Sequence, residues 1–153
     1  MSETGDEPLI APEEYARLVR DASDDDLRAG LRVNGAPIVE QIFRAMPGLL
    51  DAGRAAGVRV VADWRIRLPD DAGDLRWQVV IEEGRCSVTR DGQRPADLTF
   101  GIRGLDFVKL VTGNARGPLL FVLGRLKVDG DLLLAARYQS YFRIPRAASS
   151  GDG

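Results

Sequence analysis

Apolar residues recur at helical spacing through the first third of the chain. Acidic residues fill the first turn of residues 12–21, as the helix dipole prefers, and Ser23 precedes three aspartates as an N-cap would. We therefore expect helices over residues 12–21, 23–34 and 36–46, with a further helical turn within 49–57. The apolar positions of these stripes are Tyr15, Leu18, Val19, Leu27, Leu31, Val33, Ile38, Val39, Ile42, Phe43 and Met46.

From residue 58 the apolar positions alternate with polar ones, which is the period of a strand buried on one face. Glu83 and Gly84 separate two such runs and are typical of a tight hairpin. Clean alternation predicts a largely antiparallel sheet with one solvated face, because a sheet covered on both sides shows continuous apolar runs. The predicted strands cover residues 58–68, 75–82, 86–90, 98–102 and 125–128.

The remaining apolar stripes predict helices that cover the other face of this sheet. One helix is expected over residues 105–112, a short one over 118–123, and a last one that Asp131 caps and that extends to about Phe142. The fold class is therefore α+β, with a single five-stranded, mainly antiparallel sheet and helices on one face. We expect one domain over residues 12–145, in which 12–34 are additional helices, between a flexible acidic segment 1–11 and a flexible segment 146–153.

Composition removes several classes of chemistry. The 153 residues contain no histidine, which excludes Ser-His-Asp triads, Cys-His pairs and HExxH zinc sites. The single cysteine, Cys86, lies on the apolar side of a predicted strand and is expected to be a buried, inert thiol. A chain of this length buries enough surface to fold without a disulfide or a structural metal.

Charge is unevenly distributed along the chain. Residues 1–26 carry nine acids and two bases, while the remainder carries five more bases than acids, and the total is −2. This weak positive charge predicts no nucleic-acid partner, because such proteins show basic runs with interleaved aromatic residues. The N-terminus lacks a signal-peptide pattern and no window approaches eighteen apolar residues, so we expect a cytoplasmic protein.

No catalytic, metal or cofactor site emerges from the motifs. Glycine-rich phosphate loops are absent, and the aspartates at 24–26 and 70–71 lack the spacing of a calcium loop, so they are interpreted as caps and turns. Asp63 or Tyr138 could serve as an acid or base if burial tuned it. Alternation places Asp63 on the solvent face, however, and Tyr138 and Tyr141 are expected at the edge of the last helix.

Large apolar residues are concentrated late in the chain, within residues 107–111, 119–123 and 132–134. The segment 118–123 is apolar on all sides, so it must be surrounded by protein or must face an apolar ligand. Periodicity alone favours simple core packing and leaves a lipid-sized cavity as the alternative.

The same region resembles the sterol carrier protein type two family. The resemblance is carried by residues 96–142, which read ADLTFGIRGLDFVKLVTGNARGPLLFVLGRLKVDGDLLLAARYQSYF, with an Asp-Phe-x-x-Leu-x-x-Gly helix and then Gly-Arg-Leu-Lys-Val-x-Gly-Asp. With the strands of 58–90 and the helix of 36–46 it extends over about 110 residues. The fold that it implies agrees with the element order predicted above.

Members of that family are mostly non-enzymatic carriers whose helices and five-stranded sheet enclose an apolar tunnel for fatty acids, fatty acyl-CoA, sterols or phospholipids. The resemblance therefore favours the cavity and implies a lipid-binding or transfer protein with no catalytic residues and no cofactor. It also implies a lipid ligand, with transient membrane contact, a homodimer or a partner enzyme as further partners. Two alternatives stay open: an assembly or substrate-presenting module for a partner enzyme, and a small cone-fold isomerase or hydratase.

Position within the resemblance also implies which residues line the cavity. Gln139 is the polar group of the last helix, and two interpretations stay open for it: contact with a ligand head group, or an ordinary exposed glutamine. Arg125, Lys127 and Arg137 are interpreted as surface charge, with attraction of an anionic head group or membrane as the alternative. The expected apolar lining is Trp77, Val79, Phe100 and Ile102 from the sheet and Phe107, Leu110, Val111, Phe121, Leu123, Leu133, Ala136 and Phe142 from the helices.

Overall fold

The computed structural model describes residues 12–144, so the expected flexible segments 1–11 and 146–153 lie outside the described residues. Two helices begin the fold, α1 (Pro12–Asp21) and α2 (Asp24–Ala45). The hydroxyl of Ser23 accepts a hydrogen bond from the Asp26 N–H at 3.0 Å, which confirms the predicted cap. A short 3-10 helix (Met46–Leu49) follows α2. Residues 52–57 form turns, and the hydrogen bond from the Ala55 N–H to the Asp51 carbonyl at 2.9 Å closes one helical turn within the expected range.

The two helices expected over 23–34 and 36–46 form one element with a kink. The kink lies at Asn34, whose φ of −131° and ψ of 34° are not helical. Pro37 explains it, because proline has no N–H for the carbonyl four residues earlier and its ring crowds that carbonyl. The kink divides α2 into two halves: the first buries Leu31 in a small separate core with Leu105 and Val108, and the second packs on the sheet through Val39 and Phe43.

The five predicted strands form one sheet in the order β3-β2-β1-β4-β5. Three neighbouring pairs are antiparallel and β1–β4 is parallel, so the mainly antiparallel α+β fold is confirmed. The turn between β2 and β3 has positive φ at both Glu83 (53°) and Gly84 (73°), as a two-residue hairpin requires. The strands are β1 (Val60–Arg67), β2 (Asp74–Glu82), β3 (Arg85–Arg90), β4 (Leu98–Arg103) and β5 (Leu126–Gly130).

Three later helices share one face of this sheet with the second half of α2: α3 (Gly104–Val111), α4 (Gly117–Val122) and α5 (Leu132–Ser140). The centre of the core is aromatic. Phe43 stacks on Trp77 and on Phe107, with ring centroids 5.2 and 5.1 Å apart, and Trp64 stacks on Phe100 at 4.5 Å. These rings fill the space between the centre of the sheet and the helices.

The opposite face of the sheet is less solvated than alternation predicts, and the expected exposure of Asp63 is wrong. Asp63 and Gln78 are buried beneath the connection between β3 and β4, which folds back over them. Gln78 Nε2 donates to Asp63 Oδ1 and to the Arg94 carbonyl, each at 2.8 Å. Arg76 donates to the Gly92 carbonyl at 2.6 Å. Asp63 is therefore part of a structural network rather than a candidate acid or base.

A buried carboxylate connects α3 to both neighbouring strands. Asp106 is 1% exposed and accepts hydrogen bonds from Arg103 at 3.1 Å and from Arg125 at 2.9 Å. Arg103 ends β4 and Arg125 directly precedes β5, so the carboxylate fixes the first turn of α3 against the sheet. The last turn of α3 carries Leu110 and Val111, which border the cavity described next.

Candidate ligand-binding cavity

A cavity of about 1080 Å³ lies between the end of α2, the connection from α3 to α4, and α5. Its size is at the upper end of the range that is usual for small-molecule sites. The sheet contributes little to it, because the aromatic core occupies the space above the central strands. The lining residues are Tyr15, Gln41, Ile42, Arg44, Ala45, Met46, Gly48, Leu49, Arg54, Trp64, Leu110, Val111, Thr112, Gly113, Ala115, Arg116, Gly117, Pro118, Tyr138, Gln139, Ser140, Phe142 and Ile144.

The lining is predominantly apolar, and its charged members are three arginines and no carboxylate. Arg44 forms an ion pair with Glu40 at 2.9 Å, and Arg54 lies 3.9 Å from Asp51. Arg116 forms no ion pair with any residue within 12–144. Arg116 is therefore the lining charge that no carboxylate within residues 12–144 balances, which favours a ligand with an anionic group.

A buried hydrogen bond closes the inner wall of the cavity. Trp64 Nε1 donates to the Tyr138 hydroxyl at 3.1 Å, and both side chains are at most 5% exposed. Burial raises the pKa of Tyr138 well above its ordinary value, because the phenolate would lose its hydration. Tyr138 thus stays protonated at neutral pH. Its predicted position at the edge of the last helix is wrong, as is that of Tyr141, since both rings lie in the core.

The structure places four of the sequence-predicted lining residues at the cavity: Leu110, Val111, Gln139 and Phe142. Phe43 stacks on two further predicted lining residues and Trp64 stacks on a third. Five predicted lining residues therefore lie in the closed core, each at most 5% exposed: Trp77, Val79, Phe100, Ile102 and Phe107. The remaining four are on the outer surface of α4, α5 and the turn after α4, pointing away from the sheet: Phe121, Leu123, Leu133 and Ala136.

Sequence reasoning missed the contribution of α2 and of the connection between α3 and α4. The sequence predicted Ile42 and Met46 as core positions and gave no role to Ala45. No motif pointed to the two lining arginines Arg44 and Arg116. A usable signal exists at residues 113–118, where three small residues and a proline form the connection after α3 and the first turn of α4 and leave space. Periodicity does not distinguish a cavity wall from a packed core, because both require an apolar face.

Within residues 12–144, no group of three or more Cys, Asp or Glu side chains could hold a metal ion. Asp24 forms an ion pair with Lys109 at 2.6 Å, and Asp70 pairs with Arg32. The Lys109 ammonium holds the pKa of Asp24 below its ordinary value. Cys86 is half-buried rather than fully buried as expected, and this burial raises the pKa of its thiol to about 12.

The model of the SCP-2 sterol transfer family matches residues 43–143, which include every strand and most of the cavity wall. The chain belongs to this family. The predicted family is thereby confirmed, and the terms sterol carrier protein and lipid-binding protein apply to this SCP-2 domain.

Curated relatives show the same likeness. The oleate-induced peroxisomal protein POX18 of Candida maltosa is 29% identical over 114 residues, which cover 72% of this chain and 87% of that protein. Sterol carrier protein 2 of Rattus norvegicus is 34% identical over 67 residues, 44% of this chain. That match spans only 12% of the rat protein, so the SCP-2 domain corresponds to a small part of it.

Solved structures confirm the fold. Sterol carrier protein 2 like 2 from Aedes aegypti has a TM-score of 0.57 at 21% identity, covering 72% of this chain and 98% of that chain. The sec-alkylsulfatase Pisa1 from Pseudomonas also gives 0.57 at 18% identity, over 71% of this chain and 16% of that chain. The SCP-2 fold therefore occurs both alone and within a larger enzyme. Among residues 12–144, none of the helices has the length and apolar character needed to span a bilayer.

Proposed function

We propose that this SCP-2 domain is a non-enzymatic lipid-binding and transfer protein whose cavity carries one long-chain lipid. Fatty acids and fatty acyl-CoA are the favoured cargo, ahead of sterols. The observation that carries this proposal is an apolar cavity of about 1080 Å³ whose charged lining consists of three arginines without a carboxylate. A sterol is uncharged and would gain nothing from that lining.

The apolar wall supplies the affinity. Burial of an alkyl chain contributes about 0.8 kcal/mol per methylene, so a sixteen-carbon chain gains up to roughly 10 kcal/mol before ordering costs. Contacts with methylene groups discriminate weakly between chain lengths. The head group is therefore the part of the ligand on which selectivity depends.

Arg116 is the best placed anchor for an anionic head group. Arg44 and Arg54 already have Glu40 and Asp51 beside them, whereas Arg116 forms no ion pair with the described residues. The next residue, Gly117, packs against the side-chain amide of Gln139 so closely that a Cβ at position 117 would collide with that amide. The contact between Gly117, the neighbour of Arg116, and Gln139 supports a shared head-group site in which both side chains offer donors to a carboxylate or phosphate.

The ionisable groups near the cavity favour carriage over catalysis. The Tyr138 phenol has a pKa raised by burial and cannot act as a base at neutral pH. Burial likewise raises the pKa of Tyr15, which also lines the cavity. A general acid or base works best with a pKa near the working pH, and neither tyrosine meets that condition.

Native mass spectrometry of the purified protein, followed by organic extraction, tests the proposal first. We expect a bound acyl lipid, and we expect added palmitate to bind to protein stripped of it. Ala115→Trp would place a large ring in the cavity, whereas Ala29→Trp puts the same ring on the exposed start of α2. The first variant should lose palmitate binding and the second should keep it, with thermal unfolding showing that both are folded.

A second comparison tests the charge. Arg116→Gln should weaken palmitate binding about tenfold and leave binding of the uncharged methyl ester unchanged, because a charge-assisted contact contributes about 1.4 kcal/mol or more. Arg85→Gln removes an exposed arginine from β3 and should change neither ligand. Failure of stripped protein to bind any long-chain fatty acid or acyl-CoA would refute carriage and favour an assembly module.

A further inference from the structure

The lining side chains that carry polar atoms fall into two groups by exposure, with the half-buried Tyr15 between them. Among the described residues, three of these side chains are at most 5% exposed: Trp64, Thr112 and Tyr138. Because bulk water hydrates exposed groups but not buried ones, each of these three donors needs an acceptor in the protein or in the cavity. The exposed group, where the cavity opens to solvent, is Gln41, Arg44, Arg54, Arg116, Gln139 and Ser140.

Two of the three buried donors have an acceptor within the protein. Thr112 Oγ1 donates to the Val108 carbonyl at 2.7 Å, and Trp64 Nε1 donates to the Tyr138 hydroxyl at 3.1 Å. The Tyr138 O–H itself has no acceptor among residues 12–144, where its oxygen takes part only in the bond from Trp64. A buried donor without an acceptor is unfavourable, so an acceptor that a ligand brings to this point is stabilised.

The Tyr138 hydroxyl is held in a fixed position. Its ring lies against Trp64, Phe100 and Phe142, with ring centroids 6.1, 5.2 and 5.3 Å away. The Trp64 N–H polarises the hydroxyl and so strengthens it as a donor. Burial keeps the pKa of Tyr138 above its ordinary value, so the proton is present at neutral pH. The donor is therefore in place before a ligand arrives, and the ligand loses little free energy in ordering it.

The position of Tyr138 separates this donor from the head-group site. Arg116 and Gln139 are exposed, whereas Tyr138 is 3% exposed. Apolar side chains border the same cavity, among them Met46 and Phe142. A ligand that satisfies both places carries an anionic group at one end and an acceptor oxygen farther along its chain.

We propose that the Tyr138 hydroxyl is a ligand-binding group, and that the preferred cargo is an acyl lipid with a carbonyl oxygen along its chain. A carbonyl fits because it only accepts, whereas a ligand hydroxyl brings a proton of its own against an apolar wall. A site that offers a hydrogen bond discriminates against an analogue that lacks the partner more sharply than methylene contacts do. The choice of an acyl cargo rests on the proposed function, and the buried donor does not.

Calorimetric titration of lipid-free protein with palmitate and with oxopalmitates tests the inference, where the oxopalmitates carry a ketone at different carbons. In the wild type, at least one oxopalmitate should bind about fivefold more tightly than palmitate. Tyr138→Phe should make the same oxopalmitate bind about fivefold more weakly than palmitate, because the ketone then lacks a donor. Each ratio compares two ligands on one protein, so a loss of stability in the variant affects both alike.

Tyr141→Phe is the matched control. Tyr141 directly follows α5, is 8% exposed and is not among the described residues that line the cavity. Its substitution removes the same oxygen atom and should leave the preference for the oxopalmitate unchanged. Near-ultraviolet circular dichroism shows whether both variants keep the packed aromatic core.

Infrared spectroscopy of an isotope-labelled ketone gives a second readout. The carbonyl band of the bound oxopalmitate should lie at lower frequency in the wild type and in Tyr141→Phe, because a hydrogen bond weakens the C=O bond. It should lie at the position of a free ketone in Tyr138→Phe. The wild-type spectrum needs no variant, so it tests the inference even if Tyr138→Phe does not fold.

Three results would overturn the inference. One is palmitate that binds the wild type at least as tightly as every oxopalmitate. Another is an equal loss of palmitate and oxopalmitate affinity in Tyr138→Phe, since the carboxylate would then lie at the inner wall. The third is the band of a free ketone in the wild type. Lipid-free wild type that binds neither palmitate nor any oxopalmitate would instead refute the proposed function and the acyl cargo with it.

Discussion

Asp106→Asn removes a buried charge that two arginines share while it keeps the shape of the side chain. The aspartate accepts from Arg103 and from Arg125, and at 1% exposure it has almost no access to water. Asparagine offers one acceptor oxygen, and its NH2 group would face the donors of one guanidinium. At least one arginine contact is therefore lost, and the remaining one is no longer assisted by charge.

The size of the effect depends on how far solvent screens the pair. Loss of a hydrogen bond between charged groups costs about 1.5–3 kcal/mol. Arg103 and Arg125 are 49% and 40% exposed, so water compensates each of them in part once the carboxylate is gone. We expect the free energy of unfolding to fall by about 2–3 kcal/mol, which lowers the melting temperature by about 4–12 °C.

Urea unfolding followed by tryptophan fluorescence measures this change, with Asp129→Asn as the control. Asp129 is an exposed residue of β5 that forms no ion pair within residues 12–144, and its substitution should alter stability by less than about 0.5 kcal/mol. A double-mutant cycle with Arg125→Gln should show coupling of about 1 kcal/mol or more. Equal effects of the two asparagine variants, or strict additivity in the cycle, would show that the carboxylate does not fix α3 to β5.

Three further predictions concern single sites. The pKa of about 12 at the half-buried Cys86 leaves about one thiol in ten thousand ionised at pH 8. A thiol reagent should therefore label native protein at least a hundredfold more slowly than urea-unfolded protein, and similar rates would contradict the raised pKa. Tyr138→Phe leaves the Trp64 N–H without its acceptor and should cost about 1–2 kcal/mol in chemical unfolding, and an unchanged midpoint would show that the bond contributes nothing. Gly130 has a φ of +120°, and a Cβ there would lie 2.6 Å from the Asp97 carbonyl oxygen, so Gly130→Ala should lower the free energy of unfolding by about 1–3 kcal/mol. Gly30→Ala, on α2 with open space around it, should be neutral or stabilising. Equal effects of the two variants would refute the steric argument.

Local patterns predicted the elements well because the residues that define them act over a few positions. Ser23 and Asp131 cap helices where expected, and Glu83-Gly84 forms the hairpin. The sequence predicted two separate helices where the structure has one helix with a kink at Asn34. Pro37 interrupts the helical hydrogen bonds, but this interruption does not show whether the helix continues beyond it.

The cavity was predicted as a property of the family, but most of its wall was not. Leu110, Val111, Gln139 and Phe142 lie where the resemblance implied, whereas Trp77 and Phe107 are covered by Phe43. Nothing in the alternation of the strands indicates that an aromatic ring from α2 lies above them. The packing of distant elements decides which apolar residues meet each other and which border empty space.

By itself, the sequence determined the element order, the α+β class, the family and the absence of histidine chemistry. The tertiary structure alone decided that Asp63 is buried, that Arg116 lies at the cavity, and that Phe121 and Leu133 face outward. The physical reason is that periodicity records how apolar each face of an element is, since that depends on the element's own residues. What lies opposite that face depends on residues far away in the chain, and so do the exposure and the role of each side chain on it.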